Sequence, residues 1–323
     1  MLAIRISKTG GPEVLEAVEV ETPRPGPHDV LVRNQAIGLN FIDTYQRGGL
    51  YPMSLPSGLG SEGAGVVEAV GSEVTRFKPG EQVAYGTGPT GAYAELHLVP
   101  EGRLVKLPAG ISVKTGAAAM LKGMTCEFLL HRCYPLKAGE AILVWAAAGG
   151  VGSILGQWAK AIGAVVIGCV GNEQKAEIAR AHGCDHTILY KSEDVAGRVR
   201  ELTGGAGVRV AYDSVGKTSL ESSLKSLGRR GLLVSFGNAS GPAPAVEPLT
   251  LSRSGSLYMT RPTLFDYVAT TEELDASAAA VFEVIRSGKI KIEIGGEFPL
   301  RDVRKAHEAL QAGDTTGPQL LIP

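Results

Sequence analysis

The chain has 323 residues, of which 44% are hydrophobic and 20% are charged, and its formal net charge is -1. This composition is typical of a soluble globular protein, and the length allows two domains. The balanced charge, without any Lys/Arg-rich run, gives no sign of a nucleic-acid partner. No apolar run approaches the roughly 18–20 residues that span a bilayer. The first residues also lack the apolar core of a signal peptide, so we expect a cytoplasmic protein without a membrane anchor.

The first third of the chain contains short strand-like runs separated by turns rich in proline and glycine. Strands are predicted at Val30–Arg33, Gly65–Val70 and Gln82–Tyr85. Such closely spaced short strands predict a small, partly open β-barrel. An Ala-rich segment with helical spacing, Val113–Leu130, follows them and leads into the next part of the chain.

From about residue 139 the pattern alternates between strand and helix. Helices are predicted at Val151–Ile162, ending at Gly163, and at Glu173–Ala181, ending near Gly183. The strands between them include continuous apolar runs, as expected for strands that are buried on both faces of a parallel sheet. Six strands with helical crossovers predict an α/β fold with a doubly wound parallel sheet. The predicted strands are Ala141–Trp145, Ala164–Cys169, His186–Tyr190, Val208–Tyr212, Leu232–Phe236 and Ser256–Thr260.

The C-terminal segment contains two more predicted helices and a strand. The helices are Glu272–Ser287 and Arg301–Gln311, and the apolar strand is Gln319–Pro323. This segment is too small to form a domain of its own, so we expect it to return and complete the first domain. The predicted domains are a catalytic domain of residues 1–124 with 262–323, and a nucleotide-binding domain of residues 125–261.

The segment Ala146–Gly152 lies between a predicted strand and a predicted helix. Ala147, Gly149 and Gly152 fill the three positions of the G-x-G-x-x-G pattern, with alanine in the first. In such a turn the backbone approaches a pyrophosphate closely, and the helix N-terminus supplies N–H groups to it. The surrounding βα units favour a dinucleotide site over a tight turn without a ligand. The candidate cofactor-binding residues of this turn are Ala147, Gly149, Gly150 and Val151.

The end of the second strand of this domain bears on which dinucleotide binds. NAD-preferring sites usually carry an acidic residue about 20 residues after the loop, where it binds the adenosine ribose. Here the strand ends in Gly171 and Asn172, so no carboxylate at the tip repels a 2′-phosphate, and Lys175 follows one turn later. Tyr190 is a further candidate for flanking that phosphate, whereas Glu173 is contrary evidence. We therefore predict NADPH as the cofactor, although a lone lysine is more often a solvated helix residue.

Several segments along the chain carry motifs in a recognisable order. They are Gly38–Tyr45, Gly58–Gly65, Leu121–Thr125, Ala146–Gly152, Tyr212–Gly216, Ser235–Asn238 and Gly255–Pro262. Together they resemble the medium-chain dehydrogenase/reductase superfamily, and more closely its zeta-crystallin-like NADPH:quinone oxidoreductases. The resemblance implies a Rossmann domain with a six-stranded sheet, a GroES-like β-barrel catalytic domain, a quinone substrate and a homodimer.

The resemblance also implies that no metal takes part. The zinc-dependent alcohol dehydrogenases of the superfamily carry a ligand cysteine where this chain has Asn40 and a histidine where it has Ser61. A third ligand is expected near Leu121–Gly123, and these residue types cannot supply the set that zinc requires. The four cysteines show neither zinc-site nor disulfide spacing, so we expect free thiols in a reducing compartment. Asp43 and Glu62 persist from the family pattern, and we expect them to make structural hydrogen bonds.

Without a Lewis acid to polarise its oxygen, the acceptor must take up hydride readily by itself. Quinones do so because their reduction creates an aromatic ring, and the protein then has only to hold nicotinamide and acceptor together. Asn40 is a candidate for hydrogen bonding to a quinone oxygen. Tyr45 and Tyr51 offer aromatic faces and hydroxyls, with plain packing as the alternative for each. Further candidates for cofactor or cleft contacts are Thr125, Ser214, Phe236, Gly237, Asn238 and Arg261.

Two other functions fit the same residues. A zinc-free reductase of the C=C bond in an enone or alkenal needs the same layout and a proton donor, for which Tyr45 and Tyr51 are candidates. The other alternative is a structural or RNA-binding role for a protein that binds the cofactor, since some zeta-crystallin relatives serve as lens crystallins or bind RNA. The near-neutral charge argues against RNA. The resemblance leaves open whether a quinone accepts one electron or two.

The sixth predicted strand, Ser256–Thr260, leaves an exposed edge on the predicted sheet. Exposed edges with unpaired N–H and C=O groups are usually covered. A symmetry mate of the same strand is a simple cover, because a two-fold axis pairs identical surfaces. We therefore predict a homodimer through this edge strand, as the resemblance also implies.

Overall fold

The structure, a computed structural model, describes residues 1–323 and contains two compact units. The first unit comprises Met1–Met124, Val268–Arg286 and Ile292–Pro323. The second unit comprises Thr125–Tyr267 and Ser287–Lys291. Segments from both ends of the chain therefore build the first unit, whereas nearly all of the second unit is one continuous segment.

The N-terminal part of the chain contains the predicted short strands and the predicted Ala-rich helix. The helix changes its hydrogen-bonding pattern after Glu127, where a π-helical segment, Phe128–Cys133, continues it. The elements are β1 Leu2–Ile6, β2 Glu16–Glu19, β3 Asp29–Leu39, α1 Phe41–Arg47, β4 Ser57–Gly58, β5 Gly63–Val70, β6 Gln82–Tyr85, β7 Leu96–Pro100, β8 Val105–Lys106 and α2 Val113–Glu127.

The middle of the chain alternates between strands and helices, as its sequence pattern predicts. The elements are β9 Ala141–Trp145, α3 Gly150–Ile162, β10 Val165–Val170, α4 Glu173–Ala181, β11 His186–Leu189, α5 Val195–Leu202, β12 Val208–Asp213, α6 Leu220–Ser226, β13 Leu227–Ser235, α7 Pro248–Arg253 and β14 Tyr258–Thr260. The last part of the chain adds α8 Leu264–Tyr267, α9 Thr271–Arg286, β15 Gly296–Pro299, α10 Val303–Ala312 and β16 Gln319–Ile322.

The sheet of the second unit has six strands in the order β11-β10-β9-β12-β13-β14, and every pair is parallel. Counted along this unit the order is 3-2-1-4-5-6, which confirms the predicted doubly wound Rossmann sheet. Buried side chains such as Leu143, Ile167 and Leu233 form its core. The strand order reverses between β9 and β12, and ligands of such sheets bind at the carboxyl ends of the strands near that point.

The edge strand of this sheet is shorter than the sequence predicts. It begins at Tyr258, two residues after the predicted start at Ser256. Ser256 has a left-handed φ of 56°, which strands do not contain. The following residue, Leu257, donates its backbone N–H to Leu251 of α7 at 3.0 Å, so it belongs to the turn before the strand.

In the first unit, β3 is the central strand of a seven-stranded sheet and pairs with β5, β7 and β16. The last strand, β16, runs antiparallel to β3, with Gln319 opposite Leu39. It therefore supports β3 at the residue just before Asn40. A second sheet has the order β2-β1-β4. Apolar residues from both ends of the chain, such as Ile4 and Val303, share one core.

Helix length and composition also bear on the membrane prediction. None of the helices is both long enough and apolar enough to cross a lipid bilayer.

Candidate active site

The turn Ala146–Gly152 connects β9 to α3 and is held by its own backbone. Ala146 has a left-handed φ of 53°, and its carbonyl accepts a hydrogen bond from the N–H of Gly149 at 2.8 Å. The N–H of Ala147 donates to the carbonyl of Cys169 in β10 at 3.2 Å. The turn is therefore tight and is tied to the neighbouring strand.

Gly152 stands where the helix meets this turn. A Cβ atom on Gly152 would lie 2.2 Å from the carbonyl oxygen of Ala146 and 2.7 Å from Cα of Ala147, so only glycine fits. Gly149 is the N-cap of α3, which begins at Gly150. The first turn of a helix leaves backbone N–H groups without intrahelical acceptors, at the positive end of the helix dipole. This arrangement fits a pyrophosphate of a dinucleotide.

The tip of β10 carries the residues predicted to select the cofactor. The side-chain oxygen of Asn172 caps α4 by accepting a hydrogen bond from the N–H of Lys175 at 2.9 Å. A Cβ atom on Gly171 would lie 3.1 Å from the hydroxyl of Tyr190, so these residues are neighbours. The carboxylate of Glu173, the residue that argues against NADPH, pairs with Arg180 of its own helix at 2.5 Å. The structure therefore brings the predicted selecting residues to one strand tip.

The ends of β12 and β13 bring a second group of predicted cofactor residues together. A Cβ atom on Gly237 would lie 2.3 Å from the carbonyl oxygen of Ser214. That carbonyl accepts the N–H of Ala239 at 3.2 Å. The guanidinium of Arg261 donates to the carbonyl of Ser235 at 2.8 Å. Ser214, Phe236–Asn238 and Arg261 therefore lie at the carboxyl ends of adjacent strands, where α/β sheets bind ligands.

Asp213 organises this edge of the sheet, and the sequence reasoning missed it. Its buried carboxylate accepts hydrogen bonds from the N–H groups of Val215 and Gly216 at 2.9 and 3.0 Å. It also accepts from the hydroxyls of Ser219 and Ser223, at 2.7 and 2.6 Å. The signal was present as an acidic residue at a strand end, followed by serines of the next helix.

In the first unit, Asn40 precedes α1 and begins a polar cluster. Its backbone N–H donates to Oδ2 of Asp43 at 2.9 Å, which is one half of a capping box. Its side-chain amide nitrogen, Nδ2, donates to Oε2 of Glu62 at 2.8 Å. The rings of Tyr45 and Tyr51 pack edge to face with centroids 5.6 Å apart. The three candidate catalytic residues thus lie just before, on and just after α1.

Glu62 is completely buried, and both of its oxygens are occupied. Oε1 accepts the backbone N–H of Leu121 at 2.7 Å. Oε2 accepts the ammonium of Lys122 at 2.8 Å as well as the amide of Asn40. A Cβ atom on Gly38 would lie 2.0 Å from Oε2, so that position needs glycine. Lys122, which the sequence reasoning did not single out, is therefore the buried counter-ion of Glu62, and its side chain is only 5% exposed.

A chain of hydrogen bonds continues from Asp43. The hydroxyl of Tyr93 donates to Asp43 Oδ2 at 2.6 Å and lies 3.2 Å from Nε2 of His307. The guanidinium of Arg47 lies 2.9 Å from Nδ1 of that histidine. Burial raises the pKa of Asp43 to about 7, although the hydrogen bond from Tyr93 opposes this. Burial, with the nearby Arg47, lowers the pKa of His307 to about 3.

The side chains of this cluster do not fit a zinc ion. Asn40 directs its amide nitrogen, a donor, at Glu62, and the ammonium of Lys122 already neutralises that carboxylate. Ser61, at the other expected ligand position, offers only a buried hydroxyl without a hydrogen-bond partner. No group of three or more His, Cys, Asp or Glu side chains is arranged to hold a metal. These donor types are not those of a zinc site.

Two family models match the chain. Residues 26–109 match the alcohol dehydrogenase GroES-like domain, and residues 150–282 match the model described as zinc-binding dehydrogenase. A quinone oxidoreductase of Pseudomonas aeruginosa is 56% identical over 321 residues, which cover 99% of both chains. A solved structure of Escherichia coli quinone oxidoreductase complexed with NADPH is 48% identical, with a TM-score of 0.98 and full coverage of both chains. A 2-haloacrylate reductase of Burkholderia sp. is 42% identical and covers 100% of this chain and 99% of its own.

The fold and the candidate site define an oxidoreductase of the medium-chain dehydrogenase/reductase class, with a Rossmann sheet and a GroES-like domain. Both predicted parts of the fold are thereby confirmed. Within that class, the chain belongs to the zeta-crystallin-like NADPH:quinone oxidoreductase family.

Proposed function

We propose that this enzyme reduces quinones with NADPH and without a metal. The proposal rests on the carboxylate of Glu62, both oxygens of which already accept hydrogen bonds from the protein. Its three hydrogen-bond donors come from Asn40, Leu121 and Lys122, and one of them is a buried cation. Nothing in this set polarises an alcohol or aldehyde oxygen as a metal would. The acceptor must therefore be one, such as a quinone, that takes up hydride without such help.

The cofactor is NADPH, which supplies a hydride from its nicotinamide when bound. The first turn of α3 binds the pyrophosphate through its backbone N–H groups. Lys175 supplies positive charge for the 2′-phosphate, and Asn172 and Tyr190 flank it. Asp213 keeps the backbone after β12 in place through its four hydrogen bonds. The proposed cofactor contacts are Thr125, Ala147, Gly149, Gly150, Val151, Gly171, Asn172, Lys175, Tyr190, Ser214, Phe236, Gly237, Asn238 and Arg261.

The proposed residues for the acceptor are Asn40, Tyr45 and Tyr51. The edge-to-face pair of tyrosines gives an aromatic surface of the kind that a planar quinone ring packs on. Their hydroxyls are hydrogen-bond donors for its oxygens. The amide of Asn40 orients the ring beside them. In these roles Asn40, Tyr45 and Tyr51 only pack against the ring or form hydrogen bonds, so none of the three side chains has to gain or lose a proton.

Reduction of an activated C=C bond is the second candidate. It is favoured by the relative described as a 2-haloacrylate reductase, which covers the whole chain at 42% identity. Hydride addition to one carbon of such a bond requires a proton at the other carbon. The hydroxyl of Tyr45 or of Tyr51 is the proposed donor. Replacing either tyrosine with phenylalanine then lowers alkene reduction more than quinone reduction.

A steady-state screen of NADPH oxidation separates these functions. The acceptors are a naphthoquinone, an ortho-quinone, a simple enone and 2-chloroacrylate, each with and without a chelator. We expect the quinones to have the largest kcat/KM and the chelator to have no effect. Preferred turnover of the enone or the acrylate would assign the second candidate, and loss of activity with the chelator would contradict the metal-free proposal. The absence of turnover with every acceptor would leave a structural or RNA-binding role.

We also propose a homodimer through β14. This strand pairs only with β13 in the sheet, and Tyr258 on it is 61% exposed. An open edge of this kind is a template for a second copy of the same strand. Light scattering on the purified protein is expected to give twice the mass of one chain. A monomeric mass at micromolar concentration would contradict this proposal.

A cytoplasmic location completes the proposal. All four cysteines are free thiols, and Cys126, Cys169 and Cys184 are buried. Burial raises the pKa of the Cys126 and Cys169 thiols well above the usual value. Free, unreactive thiols are typical of proteins in a reducing compartment. Fractionation of the native host cells, with activity in the cytoplasmic fraction, is the test.

A further inference from the structure

The buried Lys122–Glu62 pair has no part in the hydride transfer as described, although it contacts a proposed acceptor residue. We propose that Lys122 and Glu62 are positioning residues that fix the orientation of the Asn40 side-chain amide. The inference rests on the proposed function, in which Asn40 contacts the acceptor. It adds to that function the two residues that decide which group of the Asn40 amide faces the acceptor.

The carboxylate of Glu62 cannot turn within the unit. Its Oε1 is held by the backbone N–H of Leu121, at 2.7 Å, and its Oε2 by the ammonium of Lys122, at 2.8 Å. The backbone of Gly38 lies so close to Oε2 that even a methyl group there would be 2.0 Å away. The side chains of Glu62 and Lys122 are 0% and 5% exposed, so water cannot replace these contacts. Glu62 is therefore a rigid acceptor with a fixed direction.

A rigid carboxylate acceptor permits only one orientation of Asn40. With Nδ2 at 2.8 Å from Oε2, the amide donates to the carboxylate. A rotation of the amide by 180° would place two oxygens against each other at about the same distance, and the amide hydrogen bond would be lost. The amide nitrogen also lies 3.4 Å from the carbonyl of Gly38, a second acceptor on the same side. The side-chain oxygen, Oδ1, faces the backbone N–H of Asp43 as the other half of the capping box. The second N–H of the amide, which has only the long contact with Gly38, is therefore the group that can donate to a quinone oxygen.

The ammonium of Lys122 is needed because it binds the same carboxylate oxygen as Asn40. It donates to Oε2 at 2.8 Å, and the amide of Asn40 donates to that oxygen at the same distance. A buried carboxylate without its cationic partner is strongly unfavourable, so loss of the ammonium should move Glu62 away from the position in which it meets Nδ2. The cation thus controls Asn40 through the position of Glu62, although Lys122 and Asn40 share only that carboxylate.

A double-mutant cycle on the full-length enzyme tests this inference. The variants are Glu62→Gln, Lys122→Met, Lys122→Arg and Asn40→Ala, with Glu62→Gln and Lys122→Met each also made in the Asn40→Ala background. The measurements are kcat and KM for a naphthoquinone, the dissociation constant of NADPH and the melting temperature. The exposed pair Lys106–Glu81, at 2.7 Å, provides the control variant Lys106→Met, which should leave every kinetic value unchanged.

We expect Glu62→Gln and Lys122→Met each to lower quinone kcat/KM about tenfold, with NADPH affinity unchanged within about twofold. Lys122→Arg, which retains the charge, should recover most of the activity. In the Asn40→Ala background the same two substitutions should change kcat/KM less than about twofold, while their melting temperatures still fall. A merely structural role would lower kcat/KM by the same factor in both backgrounds.

Two results would overturn the inference. One is that the kinetic effects of Glu62→Gln and Asn40→Ala multiply, and the other is that Asn40→Ala leaves quinone kinetics unchanged. If Lys122→Met does not fold, the double variant Glu62→Gln/Lys122→Met, which buries no unpaired charge, replaces it and should show the same tenfold loss. A failure of the proposed function is seen separately, in the unmodified enzyme with quinone. The cycle is then measured with whichever acceptor that enzyme reduces.

Discussion

The two regions that carry the proposed chemistry are built in opposite ways. The turn Ala146–Gly152 consists of small residues, and what it offers to a ligand is backbone. The cluster around Glu62 consists of ionisable and amide side chains that bond to one another inside the unit. The proposed roles thus set a highly charged cofactor against neutral backbone, and they set buried charges around a neutral amide. The difference teaches that the charge of a binding site need not match the charge of its ligand.

The largest expected effect concerns the buried charges. Lys122→Met leaves the carboxylate of Glu62 buried without its cation, which should lower the free energy of unfolding by about 3–5 kcal/mol. The matched control is Lys106→Met, which breaks an ion pair whose lysine side chain is 54% exposed. It should cost less than about 1 kcal/mol. Urea denaturation of both variants measures the difference, and equal losses would mean that burial does not set the strength of the first pair.

The second effect is the pH dependence of stability through Asp43. Its pKa is about 7 in the folded protein, against an ordinary value of 3.8. Between about pH 4 and pH 7 the folded state therefore holds a proton that the unfolded state has lost, so Asp43 lowers stability as pH rises. Asp43→Asn removes this titration but keeps an acceptor for Tyr93. Subtraction of the two curves removes the titration of His307, which both proteins share.

We expect the free energy of unfolding of Asp43→Asn, minus that of the unmodified protein, to increase across this window. The increase should be of the order of 3 kcal/mol, since each pKa unit corresponds to about 1.4 kcal/mol. Chemical denaturation at several pH values measures it. A difference that stays constant with pH would show that Asp43 is ionised in the folded state throughout.

The third effect separates packing from binding within the turn. Gly152→Ala places a methyl group 2.2 Å from the carbonyl of Ala146, so we expect a loss of about 1–3 kcal/mol in stability. Gly149→Ala places its methyl group 3.1 Å from the same oxygen, which is much less strained. That variant should remain nearly as stable but bind NADPH more weakly, because its methyl group enters the space of the pyrophosphate. Melting temperature and NADPH titration distinguish the two, and matching profiles would refute the distinction.

The smallest effect concerns the choice of cofactor. Lys175→Ala should weaken NADPH binding about tenfold, as the loss of one charge-assisted contact to a phosphate. NADH affinity should not change, because NADH carries no 2′-phosphate. Lys225→Ala, a lysine that pairs with Glu221 on α6, is the control. Parallel losses for both cofactors would show that Lys175 supports the site without reading the phosphate.

The glycine turn and the Glu62 cluster also differ in how well the sequence predicts them. The Rossmann sheet and its glycine turn were predicted correctly because their signals are local, a strand, a turn and a helix in sequence. The edge strand was predicted too long because the left-handed Ser256 carries no sequence signal. The Glu62 cluster joins positions from 38 to 122, and the Asp43 chain extends to His307. Such contacts exist only after folding, so Lys122, Tyr93 and His307 were not recognised as partners.

The strand pairing of β16 with β3 sets an order of events during synthesis. The sheet of the second unit is complete once the ribosome has made Thr260, and domains tend to fold as units while the chain emerges. The sheet of the first unit lacks β16 until residues Gln319–Ile322 leave the ribosome, since Gln319 pairs with Leu39. The half of the enzyme that is translated first is therefore expected to fold last. Until then Asn40 follows a strand that still has an open side, so termination of translation before Gln319 would yield an intact Rossmann sheet and an incomplete first unit.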